Sequence, residues 1–156
     1  MTLGADSVNG TSREPRVLRG RSRSGSTTAV VPLTLRVLYG DTDQMGVVYY
    51  ANYLRYFEAG RGEFLRAHGR DYRAVEKLGY RLPVIEATVR YARPAQYDDV
   101  LTIETTVVEA RGASVRFSYR VARGGEQIAT GETLHACLNL QGRPTRLPPE
   151  LGALAG

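Results

Sequence analysis

The sequence predicts an α+β domain in which one long helix lies against an antiparallel sheet. Three observations predict it. A helical period runs from about Tyr50 to Gly69, a period of two takes over after Gly79 and persists to Leu140, and glycines and short polar turns separate the later strands. The 156 residues suit one core. A hydrophobic content of 42% with 24% charged residues excludes wholesale disorder.

The first strand is expected over residues 33–38, where Leu33, Leu35 and Val37 alternate with Thr34, Arg36 and Leu38. Residues 41–46, Asp-Thr-Asp-Gln-Met-Gly, are short, polar and glycine-bounded, and read as a loop. In the helix that follows, Leu54, Phe57, Phe64, Leu65 and His68 share one stripe, and Gly69 suits the left-handed position that closes it. A shorter helix is expected from Asp71 to Leu78, closed by Gly79. Strands are expected at 84–91, 101–108, 115–121 and 127–140, with Gly124-Gly125 making the two-residue turn before the last of them. One helix cannot cover all the apolar positions of these strands, so self-association is expected.

Composition excludes several classes of function. No run approaches the roughly 18 apolar residues of a spanning helix, and the first thirty residues lack the apolar segment of a signal peptide, so a cytoplasmic protein without membrane insertion is expected. The single cysteine, Cys137, cannot form an internal disulfide, and with only His68 and His135 a Cys/His zinc site cannot be assembled; no metal and no cofactor are expected. Cys137 reads as a small core residue, and the two histidines as capping or packing groups. There is no phosphate-cradling glycine motif, so nucleotide hydrolysis and hydride transfer have no support.

The formal charge of +5 is unevenly placed. Residues 1–32 hold Arg13, Arg16, Arg19, Arg21 and Arg23 against Asp6 and Glu14, a net of +3, which leaves +2 for the remainder. That Arg/Ser/Gly/Thr-rich segment has no apolar period and reads as a disordered basic extension outside a domain spanning 33–150. A passive solvated tail and an electrostatic tether to nucleic acid or an anionic surface both fit, and the former is favoured.

The acidic loop is the strongest chemical signal. Asp41 and Asp43 are one residue apart, so in an extended loop at most one faces a given pocket. The loop enters the long helix at its N-terminus, where unpaired N–H groups and the helix dipole can bind an oxyanion. A carboxylate beside such amides suits acyl transfer; the plainer alternative is that either Asp caps a turn. Glu58 is a rival carboxylate. It falls inside the apolar stripe with Arg61, and an intrahelical pair between the two is the alternative to catalysis.

The run Tyr39-Gly40-Asp41-Thr42-Asp43-Gln44-Met45-Gly46-Val47-Val48-Tyr49-Tyr50-Ala51-Asn52-Tyr53-Leu54, continued by Phe57-Glu58 and Arg61, resembles the 4-hydroxybenzoyl-CoA thioesterase group of hotdog enzymes. It is similar above all to the subgroup holding the Tol-Pal-associated acyl-CoA thioesterases. The segment Tyr97-Asp98-Asp99-Val100-Leu101-Thr102-Ile103-Glu104-Thr105 shares the likeness, which covers about residues 33–147. The resemblance implies a hotdog fold, an antiparallel sheet wrapped around one long central helix. It implies a metal-free acyl-CoA thioesterase acting as a homodimer or homotetramer.

By the same resemblance, Asp43 is the catalytic carboxylate, the backbone N–H of Tyr50 binds the thioester carbonyl, and Gly46 permits the tight turn between them. Many Tol-Pal-associated members have His where this chain has Tyr50. Val48, Arg111 and Ser114 would belong to the substrate-binding residues, the last two at the family's nucleotide-binding turn, although Gly112 and Ala113 stand where relatives have more basic residues. Asp43 acts either as nucleophile or as general base. Two alternatives stay open: a non-catalytic hotdog binding or scaffold protein, and another CoA-thioester activity such as dehydration.

Overall fold

The computed structural model describes residues 30–155. The expected basic extension therefore lies, up to residue 29, outside the described residues. The elements are β1 (Val31–Arg36), a 3-10 turn (Tyr39–Asp41), α1 (Asn52–Ala67), α2 (Tyr72–Lys77), β2 (Val84–Tyr91), β3 (Val100–Arg111), β4 (Ser114–Arg123), β5 (Glu126–Ala136), α3 (Pro149–Gly152) and a closing 3-10 turn (Ala153–Ala155). The five strands form one antiparallel sheet in the order β1-β3-β4-β5-β2, with α1 across its inner face. This is the predicted α+β hotdog architecture.

Alternation decides which face is buried. Leu101, Ile103, Thr105 and Val107 of β3 and Val115, Phe117, Tyr119 and Val121 of β4 point to the core, as the period of two requires. Their neighbours form an outer face of paired charges: Arg116 bridges Glu86 and Glu132, and Arg120 meets Glu104. Part of the exposed apolar surface lies on β2, where all residues but Val89 are exposed, Val84 by 47% and Ile85 by 59%. β2 is also an edge of the sheet, with half its backbone groups unpaired.

The helix sits unusually close to the sheet because two glycines allow it. A Cβ on Gly60 of α1 would lie 2.6 Å from Ile103 Cγ2 and 2.7 Å from Thr105 Oγ1; one on Gly131 of β5 would lie 2.3 Å from the Thr88 carbonyl oxygen and 2.4 Å from Phe57 Cε2. Phe57 instead stacks on Tyr119, with ring centroids 4.4 Å apart and planes 4° apart.

Several expectations need correction. The helix begins at Asn52, two residues after Tyr50, and its buried side is Tyr53, Tyr56, Phe57, Gly60, Arg61, Phe64 and Leu65. Leu54 is 42% exposed: the stripe is centred between Tyr53 and Phe57, and the tyrosine rings take the place assigned to leucine. The expected Glu58–Arg61 pair is not formed. Arg61 turns inward and donates from Nε to the Tyr72 hydroxyl and from Nη1 to that of Tyr119 at 3.0 Å. The last strand stops at Ala136 rather than Leu140, because Cys137–Leu138 bond instead to the β3–β4 turn and to Arg81. Helix closure follows expectation, with Gly69 at φ +67° and Gly79 at φ +87°, and so does the Gly124-Gly125 turn, at φ +54° and +85°. Beyond residue 147, Leu151 and Leu154 are buried.

Candidate active site

The loop between β1 and α1 is built around Asp41. Its carboxylate is buried, and Oδ2 accepts the Leu38 N–H at 2.9 Å and the Tyr56 hydroxyl at 3.1 Å, while Arg55 lies 3.7 Å from Oδ1. Its backbone carbonyl accepts the Tyr49 N–H and the Asn52 side-chain amide. Asp41 thus ties the 3-10 turn, the loop and the helix start together. Burial and the adjacent Asp41 carboxylate push the Tyr56 phenol well above its ordinary pKa, so it remains a donor.

Asp43 is placed differently. Its Oδ1 accepts the Met45 N–H at 2.8 Å, its carbonyl accepts the Gly46 N–H and its own N–H bonds to the Val47 carbonyl. Among the described residues, Oδ2 makes no such bond. Gly46 has φ +76°, a backbone state that side chains disfavour, and it closes the turn that fixes the carboxylate. The two aspartates therefore face different cavities, as the sequence suggests. The reason differs, since Asp41 belongs to a 3-10 turn rather than to extended chain.

The helix start beside Asp43 has no side-chain cap. Its N-cap is Ala51, whose side chain cannot accept a hydrogen bond. Among the described residues, the N–H groups of Tyr50 and Ala51 take no acceptor, whereas those of Val48, Tyr49 and Asn52 are bonded to the Ala95, Asp41 and Tyr49 carbonyls. Two consecutive free donors at the positive end of a 16-residue helix are suited to developing negative charge.

Asp43, Met45, Val47, Val48, Tyr50, Tyr53, Tyr91 and Pro94 share an open cavity of about 270 Å³. The structure thus brings together Asp43, Val48 and Tyr50, with Gly46 in the same loop. Tyr53 and Tyr91 were missed by sequence reasoning: Tyr53 was hidden because the stripe was centred on Leu54, and Tyr91 is distant in sequence. Glu58 does not join them. It lies on the exposed side of α1 and lines two other clefts, one of about 560 Å³ with Asp41 and Arg55 and one of about 440 Å³ with Arg61 and Arg81.

Arg111 and Ser114 are also elsewhere. They flank the β3–β4 turn, where Arg111 pairs with Glu109. Asp43 follows the end of β1 that pairs with the start of β3, whereas Arg111 closes the other end of that strand. The twelve residues of β3, roughly 36 Å of extended strand, run between the two ends.

The remaining titratable residues of the core are structural. The Arg61 guanidinium donates to Tyr119, whose hydroxyl is 2.7 Å from Thr133 Oγ1; Thr133 is 2.9 Å from His135 Nε2, and His135 Nδ1 is 2.9 Å from the Leu82 carbonyl. Since a carbonyl only accepts, Nδ1 carries the His135 proton and Nε2 accepts from Thr133. Burial holds this imidazole neutral, its pKa pushed down to about 4. His68 both packs on Phe64 and bonds to its carbonyl, and Cys137 is a buried free thiol. Among the described residues, no three His, Cys, Asp or Glu side chains gather where they could hold a metal ion. None of the described helices is long and apolar enough to cross a membrane.

Comparison with known proteins points the same way as this geometry. A family model described as the thioesterase-like superfamily matches residues 37–154. The chain is 36% identical over 121 residues to the acyl-CoA thioester hydrolase YbgC of Escherichia coli O6:H1, covering 76% of this chain and 90% of that protein. The fold superposes on the crystal structure of hypothetical protein TT1821 from Thermus thermophilus with a TM-score of 0.75 at 35% identity, covering 79% and 98% of the two chains. It also matches a DHNA-CoA thioesterase from Staphylococcus aureus with a TM-score of 0.72 at 28% identity, covering 76% and 80%.

Proposed function

The chain belongs to the thioesterase-like superfamily and hydrolyses acyl-CoA thioesters, and we propose that it does so with the Asp43 carboxylate and the uncapped start of α1. The observation that carries this reading is that one Asp43 oxygen is pinned by the Met45 N–H while the other makes no bond, in the same cavity as the two free helix-start amides.

A thioester carbonyl set on the Tyr50 N–H, with the Ala51 N–H beside it, is polarised toward its tetrahedral intermediate. Asp43 then has two routes. Its carboxylate attacks the carbonyl carbon, the C–S bond breaks and water cleaves the resulting anhydride; or it takes a proton from water, which attacks in its place. In both, CoA leaves as a thiolate whose thiol is about as acidic as that of cysteine, near pKa 8.5, so a strong general acid is not required. Val48 lines the pocket on the Asp43 side, and Gly46 sets the turn that carries Asp43.

The working unit in this reading is a homodimer or homotetramer. The edge strand β2 reaches the Asp43 cavity with its last residue, Tyr91, and provides an open template for a second copy. The separation of Arg111 and Ser114 from Asp43 argues likewise: if that turn binds the CoA nucleotide, it serves the Asp43 pocket of another chain. The free, buried Cys137 fits a reducing, cytoplasmic setting.

The test is a thiol-detecting assay over aliphatic and aromatic acyl-CoAs, with Asp43→Asn and Glu58→Gln compared with wild type. Turnover of at least one thioester, lost in the Asp43 variant and kept in the Glu58 variant, is expected. Loss on Glu58→Gln with Asp43→Asn intact would move the catalytic carboxylate onto the helix.

A further inference from the structure

The Tyr50 carbonyl has a partner outside the helix. Leu54, whose N–H would ordinarily bond to it, bonds instead to the Ala51 carbonyl at 3.2 Å. The Tyr91 hydroxyl, reaching across from the end of β2, donates to the Tyr50 carbonyl at 2.9 Å. Tyr91 is itself braced, its ring edge-on to the buried Tyr53 with centroids 5.3 Å apart.

Resting on the reading above, we propose that Tyr91 is a positioning residue of the oxyanion site, holding the Tyr50–Ala51 peptide so that the free N–H groups of residues 50 and 51 keep a fixed direction. In a trans peptide the carbonyl and the next N–H point opposite ways, so gripping the Tyr50 oxygen sets the Ala51 N–H. It also restrains the backbone torsions of Tyr50 that orient its own N–H. A released carbonyl at this place could swing its negative end toward the reacting thioester, which opposes the charge that develops there. Partial burial and the neighbouring Tyr50 raise the Tyr91 phenol above its usual pKa, so it stays a donor through the neutral range.

The decisive variant is Tyr91→Phe, which keeps the ring against Tyr53 and removes the hydroxyl. Two readouts are needed: steady-state release of CoA, and the amide ¹H–¹⁵N resonances of residues 50 and 51 in the intact protein. Loss of one neutral hydrogen bond predicts a kcat lower by roughly two- to thirteenfold with KM unchanged. The bell or plateau of the pH profile should not move, and the Tyr50 and Ala51 amides should shift. Unchanged kcat, a loss confined to KM, or unshifted amides would overturn the assignment. Should the wild-type protein release no CoA from any thioester, the hydrolase reading falls, whereas the amide resonances still decide whether Tyr91 holds the peptide.

Discussion

Asp41 and Asp43 differ by two positions in sequence and by everything in environment. Asp43→Asn keeps the shape of the loop and removes the charge, so turnover should fall by about 10²-fold or more while the melting temperature stays near wild type. Asp41→Ala should do the reverse first. It strips acceptors from Leu38 and Tyr56, and a loss of about 1–3 kcal/mol in urea unfolding is expected. His135 offers a pH test. Its folded pKa of about 4 lies below the unfolded value of about 6.5, so between those values the unfolded chain binds more protons. Stability present above pH 6.5 should therefore decline as pH falls toward 4. His135→Gln should flatten part of that slope in thermal melts; an identical slope would place the acid sensitivity elsewhere.

At the scale of elements, the glycines make the sharpest contrast. Gly131→Ala forces a methyl against the Thr88 carbonyl and the Phe57 ring, and should cost the upper part of about 1–3 kcal/mol. Gly62→Ala, on the same helix that Phe57 belongs to, meets nothing within 4 Å and should stabilise by about 0.5–1 kcal/mol. Chemical denaturation of the two variants checks both signs. The strands, their turns and the helix closure at Gly69 were legible because periods of two and 3.6 and positive-φ glycines are local signals. The helix phase was not, since Tyr53, Tyr56 and the inward Arg61 are amphipathic side chains whose burial depends on what faces them: Tyr119, Tyr72 and Asp41 come from other elements. The segment that holds Asp43, Gly46 and the Tyr50 amide was legible as a unit because it is continuous, and their proposed roles come from the resemblance it carries. Tyr91 was not, because only strand pairing brings it to the helix start.

At the scale of the molecule, residues 1–29 carry a basic, Arg/Ser/Gly-rich sequence with no apolar period, so deleting them should leave the melting temperature and CoA release unchanged. The larger question is how many chains make one site. β2 exposes apolar side chains and an unpaired backbone edge, and it carries Tyr91 into the Asp43 cavity, so in the proposed reading association and catalysis share a strand. Light scattering coupled to gel filtration, with acyl-CoA hydrolysis assayed across the eluted peak for wild type and Asp43→Asn, tests the account most directly. The account predicts a dimer or tetramer for both proteins, with CoA release coinciding with that species in wild type and absent from the equally assembled Asp43 variant. A fully active monomer would contradict the shared site, and an active Asp43→Asn oligomer would contradict the carboxylate.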